Sequence, residues 1–287
     1  MKYPFIREHA NEYPVQVMCR VLEVSRSGYY TWLKRPESKR ERENRRILTE
    51  IKAIFKQFNE RYGSPRVFRK LLEREIFCNI KRVERLMAQN GLRARQKRKF
   101  RVTTDSGHTL PVAPNILDRQ FEAAAPNQIW LSDITYIPTA EGWLYLAFVL
   151  DMFSRRIVGW STSTSLDRQL AIDALMMAIW RRRPPAGLIH HSDRGVQYAS
   201  EDYQAILDAR GMVCSMSRKG NCWDNAPAES FISTLRMEEL FGKENLPREQ
   251  INALLFDYIE VFYNFERLHS SLDYLSPVEY ERMANVA

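Results

Sequence analysis

The chain has 287 residues, 45% of them hydrophobic and 27% charged, with a formal net charge of +8. That apolar share is too high for a disordered chain, and the length allows one large domain with one or two small ones. The longest apolar run is about half a membrane span, and residues 1–10 include Lys2, Arg7 and Glu8 without an apolar core, so neither a spanning helix nor a secretory signal is expected. Cys19, Cys78, Cys214 and Cys222 form no C-x-x-C pair, which suits reduced thiols in a cytoplasmic protein.

Along the chain, residues 14–22 and 27–34 read as two short helices around a turn at Ser27-Gly28. Tyr29, Tyr30 and Trp32 are expected to form a small core rather than base-stacking groups, because large aromatics usually anchor packing. A longer helix follows at 41–58, with Ile47, Ile51, Ile54, Phe55 and Phe58 at helical spacing. Pro65–Ile76 and Ile80–Asn90 make two more helices, the second ended by Gly91. Leu71, Leu72, Val83 and Leu86 would lie inside this trio, whose tight second turn suggests a helix-turn-helix. Its third helix carries Lys81, Arg82 and Arg85, the expected groove readers.

Charge supports a DNA-facing role for this region. Residues 34–101 hold 23 Lys and Arg against 8 Glu and no Asp, a net +15 that leaves −7 for the rest. Salt-bridged helices with solvated basic faces are the bland alternative, but so large an excess is hard to neutralise internally. Arg93, Arg95, Lys97 and Arg98 form a basic run suited to phosphates rather than bases. The expected division is a short helical region at 1–40, a basic helix-turn-helix-like domain at 41–97, a linker at 98–126 and an α/β domain at 127–287.

The α/β part opens with QIWLSDITYIP, an alternating strand with Asp133 in its middle. A charged residue there is costly unless something pairs with it, and a metal ion would. Two more strands follow at 143–150 and 155–162, then a helix at 167–182 and a short buried strand at 187–192. Asp193 stands where that strand ends, the place where ligand groups gather in α/β sheets. Glu229 lies on a helix at about 226–240, with Asp224 or Asn225 as its N-cap and Pro227 in its first turn. Ala228, Phe231, Ile232 and Leu235 form the stripe facing the sheet, and Glu229, Ser233 and Arg236 the adjacent one.

One acid alone is most often a solvated surface group. Three in these settings, separated by 59 and 35 residues, suit two hard divalent cations about 4 Å apart that hold both oxygens of an in-line displacement at phosphorus. Arg236 is expected on a DNA phosphate beside the scissile bond. His190 and His191 are expected to hydrogen-bond behind the site rather than ligate, and Asp151 to be structural.

The segments WLSDITYI, HSDRGVQY and NCWDNAPAESFISTLR resemble the catalytic core of the DDE transposase and retroviral integrase superfamily. More narrowly they resemble the second-frame product of bacterial insertion sequences of the IS-three type. The 35-residue interval and Arg236 match its pattern, and TTDSGHTLPVAPNILDRQF and YNFERLHSSLDYLSPVEYE extend the likeness over nearly the whole chain. The His and Cys positions lack the zinc-module spacing of retroviral integrases, which favours the bacterial branch.

The resemblance implies an RNase H-like core, a mixed five-stranded sheet with flanking helices, preceded by the all-α DNA-binding region. It implies Asp133, Asp193 and Glu229 as catalytic ligands of two Mg²⁺, with Mn²⁺ as substitute. It further implies strand cleavage and transfer on double-stranded DNA, at terminal inverted repeats and target, by a homo-oligomer in the bacterial cytoplasm at the nucleoid. An upstream-frame partner is a further expectation, since related enzymes are often fusions and no heptad run occurs here. The chain would then be a partial product. A non-catalytic regulator of element ends is the alternative from another class, although it would not need the triad. An RNase H-type nuclease on RNA–DNA hybrids is a third, in which the basic region would be surplus.

Overall fold

The computed structural model describes residues 2–94, 111–218 and 221–284, apart from the Cys222 side chain. Two compact units result, Met1–Arg93 and Ala94–Ala287. The first begins with helices α1 (Lys2–Glu8), α2 (Val15–Val21) and α3 (Arg26–Lys34). They enclose Ile6, Met18, Cys19 and Tyr29, with Trp32 packed at the margin. Tyr30, expected in this core, is exposed. Helix α1 is not among the expected elements, because seven residues carry too little periodicity to be read.

Helix α4 (Lys39–Gln57) starts in a capping box: the Ser38 hydroxyl accepts from the Glu41 N–H, and the Glu41 carboxylate accepts from the Ser38 N–H. Its Ile47, Ile51, Ile54 and Phe55 are buried against α5 (Ser64–Glu73) and α6 (Ile80–Gln89). Val67, Leu71, Val83 and Leu86 complete that core, each aliphatic side chain stabilising the fold by about 1.5–3 kcal/mol. Gly91 takes φ +67° just past α6, where a β-carbon would be strained.

The expected groove readers on α6 divide. Lys81 and Arg85 are exposed, Lys81 beside Glu84 at 3.3 Å. Arg82 instead donates to Asn44 at 2.7 Å and Glu43 at 2.9 Å on α4. It ties α6 to α4 through these contacts. Arg93 is exposed, while Arg95, Lys97 and Arg98 lie outside the described residues.

In the second unit, β1 (Ile129–Thr139), β2 (Gly142–Asp151) and β3 (Ile157–Ser163) form an antiparallel meander. β4 (Ile189–Ser192) and β5 (Val213–Met216) extend it in parallel, giving the order β3-β2-β1-β4-β5. Helix α7 (Arg168–Arg182) precedes β4, and α8 (Glu201–Ala209) links β4 to β5. Trp130, Ala147, Val149 and Val158 pack with α7 and α8 in one core. The opposite face carries Phe148, whose ring lies 4.6 Å from that of Phe231 on α9 (Ala226–Leu235).

Close approach of α7 depends on Gly159. A β-carbon there would stand 2.2 Å from the Ala174 carbonyl oxygen and 2.6 Å from the Ala178 nitrogen. The helix backbone therefore rests directly on β3, through Ala174 and Ala178.

Three features depart from the expected elements. Residues 111–126 are not all linker: Leu117 is buried, and the N–H groups of Ile116 and Leu117 donate to Ser215 on β5. Helix α8 and strand β5 were not placed by periodicity, being short. The Glu229 helix ends at Leu235 and continues as a π turn, Arg236–Leu240.

The last segment braces the sheet. Helix α10 (Arg248–Phe256) runs into a second π turn, Asp257–Tyr263, and α11 (Pro277–Ala284) follows. The Asn264 amide donates to the Ile157 carbonyl and accepts from its N–H, at 3.0 and 2.9 Å. Arg267 grips Glu238 at both oxygens, 2.8 Å each. These contacts give Asn264 and Arg267 a structural role that sequence left open. Among the described residues, no helix is long and apolar enough to cross a membrane.

Candidate active site

Asp133 and Asp193 meet through strand register. The last parallel pair between β1 and β4 is Leu131 with His191, and each aspartate lies two residues further on. Side chains alternate along a strand, so Asp133 shares the α9 face of the sheet with Phe148, its antiparallel partner. Its Oδ1 accepts from the Ile134 N–H at 2.8 Å. Asp193 Oδ1 accepts from the Gly195 N–H at 2.9 Å in the turn after β4. A β-carbon on Gly195 would stand 3.0 Å from that oxygen.

Asp133 feels the charge of the other two acids. Burial pushes the Asp133 carboxyl well above the usual range, and the negative charges of Asp193 and, less, Glu229 add to this. The Ile134 N–H and Arg236 act in the other direction. Glu229 is exposed on α9, yet partial desolvation still raises its carboxyl. Among the described residues, no three His, Cys, Asp or Glu side chains are drawn close enough to hold a metal. Glu229 is the exposed member of the three, on α9, and its charge still acts on Asp133.

Of the two expected caps of helix α9, Asn225 takes the position and Asp224 does not. Asn225 occupies the cap position but makes no side-chain cap bond; its amide donates to the Ser132 carbonyl at 3.2 Å. Asp224 is fully buried and caps nothing. It accepts from Arg218, Arg119 and Asn115 at 2.8–3.1 Å. Hydrogen bonds from Arg218 foremost hold its carboxyl well below the usual range, against the opposing effect of burial. Only the run of polar residues in NCWDN hinted at this, and nothing in the sequence pairs Asp224 with Arg119.

Arg236 donates to the Thr135 hydroxyl at 2.8 Å and the Tyr136 carbonyl at 3.4 Å. Its guanidinium is thereby held along β1 beside Asp133. The anchoring fixes where the cation stands.

Neither histidine is placed as a ligand. His190 lies on the α7–α8 side, where its Nε2 bonds to Ser132 and Tyr203 at 2.9 and 3.0 Å. Both ring nitrogens of His191 are held, by Ser215 at 2.8 Å and Ser217 at 3.1 Å. Burial foremost pushes His190 down to about 3 and His191 to about 4. Asp151 is also structural, accepting from the Asn127 and Phe153 N–H groups and Trp130 Nε1.

These imidazoles predict acid sensitivity. An unfolded histidine takes up a proton near pH 6.5, whereas the native ones do so only near 4 and 3. Their contribution to stability is thus complete above pH 6.5 and falls as pH drops towards 4. Each imidazole contributes up to about 1.4 kcal/mol per pH unit. Asp133, raised in the fold, opposes this, so the direct readout is NMR. Both imidazoles should keep neutral shifts at pH 5.5; titration near 6.5 would contradict the burial.

Comparison with known proteins agrees with this architecture. An integrase core domain family matches residues 123–222, a second integrase core domain family matches 210–277, and an HTH-like domain family matches 41–100. The Escherichia coli K12 transposase InsF for insertion sequence IS3A is 45% identical over 283 residues, 98% of each chain. A 31 kDa protein of insertion element IS600 from Shigella sonnei is 46% identical over 271 residues, 93% of this chain and all of that one. The HTLV-2 integrase catalytic core, solved with magnesium, aligns with 56% of this chain and 99% of its own at 20% identity and a TM-score of 0.43. With a relative of that identity matched over nearly its full length, the chain belongs to the IS3-type insertion-sequence transposases, polynucleotidyl transferases built from an HTH-like domain and an integrase core.

Proposed function

We propose that Asp133, Asp193 and Glu229 bind two divalent cations, Mg²⁺ with Mn²⁺ as substitute, and that the chain cuts and joins DNA at element ends. The observation that carries this is the register that sets Asp133 and Asp193 each two residues past the last β1–β4 pair. The donors fit a hard cation in kind. They are carboxylate oxygens, and the nearby imidazoles are committed elsewhere. Asp133 would serve both ions, while Asp193 and Glu229 would each complete one. Such ions supply charge stabilisation at phosphorus and lower the pKa of the attacking oxygen's proton.

The chain's own residues supply alignment. The Ile134 and Gly195 N–H groups orient the two aspartates, and Arg236, anchored on Thr135, presents its charge beside them. Water attacks phosphorus at the element end and the bond to the 3′-oxygen breaks, leaving a 3′-hydroxyl. That hydroxyl attacks a second phosphodiester, whose 3′-oxygen departs, so the DNAs are joined. No covalent side-chain nucleophile is required. We place this activity in the bacterial cytoplasm, on the nucleoid, with a homo-oligomer holding the ends and an upstream-frame protein as partner.

Magnesium dependence tests the reading. Cleavage of end-containing duplex should require Mg²⁺ or Mn²⁺ and stop with chelator. Millimolar Mg²⁺ should also raise the melting temperature by mass action. That rise should vanish in Asp133→Asn and persist in part in Glu229→Gln, because Glu229 is the exposed member of the three. Full activity in chelator would sink the proposal.

The helical unit is proposed to hold duplex DNA through Lys81, Arg85 and the basic run at Arg93, Arg95, Lys97 and Arg98. Affinity should fall steeply with salt, by a slope of about −0.9 per phosphate neutralised. Arg85→Glu should flatten that slope by about one phosphate and Arg82→Ala should mainly destabilise the unit. Equal slopes for Arg85→Glu and parent would remove Arg85 from the interface.

A further inference from the structure

Past Asp133, β1 and the π turn after α9 enclose a cavity of about 430 Å³. Its walls include Tyr136, Trp143 and Phe241, with Ser233, Arg236 and Lys243 as polar members. Trp143 is 53% and Phe241 45% exposed, although apolar rings of this size usually find cover. The Tyr136 and Trp143 rings stand perpendicular with centroids 6.3 Å apart, a corner rather than a closed stack. Ser233 and Arg236 continue the α9 stripe that begins at Glu229.

The geometry points to a binding site for one unpaired nucleotide of the DNA strand being processed, with its base against Trp143 and Phe241. Three features select that occupant. Aromatic faces accept any base, whatever its sequence. Arg236 and Lys243 supply cations for the adjoining phosphate, Lys243 from its pair with Glu239. The volume falls in the usual range for a small ligand, roughly 300–1,000 Å³, and admits a nucleotide but no duplex. Glu244, also at the wall, gives an acceptor for an exocyclic amine.

The π turn explains why the cavity exists here. One wider turn, Arg236–Leu240, interrupts the regular helix directly after α9, and such turns recur at functional sites. Arg236, tied to Thr135, joins the cavity to the β1 segment that carries Asp133. A nucleotide in the cavity would therefore adjoin the reacting phosphate, and drawing its base from the stack would fix that phosphate in place. This inference rests on the reading of Asp133, Asp193 and Glu229 as the centre that handles that phosphate.

The test uses the full chain and duplexes with the element's ends, carrying 2-aminopurine at successive positions about the cleavage point. Bound by Asp193→Asn protein, which leaves the DNA uncut, one position should change its fluorescence severalfold as its base leaves the stack. Adding Trp143→Ala should abolish that response and weaken end binding by about tenfold, and Trp143→Phe should restore it. Trp143 is too exposed for its loss to unfold the chain, and circular dichroism checks this. No responsive position, or a response unchanged by Trp143→Ala, overturns the proposal. Mg²⁺-dependent cleavage by the unsubstituted chain is scored on the same duplexes. Cleavage without a base response rejects the cavity and leaves the catalytic reading, whereas a base response without cleavage rejects the catalytic reading alone.

Discussion

Asp133→Asn and Asp193→Asn should each lower strand cleavage and joining by on the order of 10³-fold or more, the scale of losing one group that stabilises transition-state charge. Duplex binding should change little, because contacts to phosphates along the strand supply most of the affinity. The substitution keeps size and removes charge. In Asp133 it also relieves a buried carboxyl that Asp193 and Glu229 already disfavour, so the variant should be at least as stable as the parent. Lost activity with retained or raised stability is the pattern of a site held at a cost to the fold. Glu229→Gln should be as damaging to joining but neutral for stability, since Glu229 is exposed. Near-parental cleavage by any of the three would remove that residue from the chemistry, and a collapse in melting temperature would make Asp133 a structural acid instead.

Glu281→Ala should destabilise the second unit by about 3 kcal/mol, because it leaves two half-buried guanidinium groups without their main partner. Glu281 is 6% exposed on α11. Its carboxylate accepts from Arg182 twice at 2.9 Å, from Arg156 at 2.8 Å and from Ser154 at 2.7 Å. Asp151 stands 3.5 Å from Arg182 in the same cluster. One carboxylate thus joins α7, the β2–β3 hairpin and the terminal helix. Glu281→Gln keeps the acceptor oxygen and should cost clearly less. Urea unfolding decides between them; a loss below about 1 kcal/mol in Glu281→Ala would mean the cluster behaves as an exposed ion pair.

Elements with local signals are legible along the chain. Alternation in QIWLSDITYIP produced β1 with Asp133 inside it, and the apolar stripe Ala228, Phe231, Leu235 turned α9 toward the sheet. Ile47, Ile51 and Ile54 likewise marked the buried face of α4. The three acids were legible as well, because a carboxylate in mid-strand or at a strand end has few inexpensive explanations. Short elements were not. Strand β5 has four residues and α1 seven, less than the periods needed to separate helix from strand.

Tertiary structure alone decided which charged residues face water and which hold the fold. Arg82 and Arg85 look alike in sequence, yet Arg82 clamps Glu43 and Asn44 while Arg85 is exposed. Asp224 looks like a helix cap, yet it is the buried acceptor for Arg218 and Arg119. The same holds for the site: the offset of 60 residues in the Leu131–His191 pairing recurs in Asp133 and Asp193, but only β1–β4 pairing makes them neighbours. A side chain's hydrophobicity is written in its own residue and is read by periodicity. The partner of a charge is set by chain segments far apart in sequence, and only their packing decides whether that charge is solvated, paired or left facing another of its own sign.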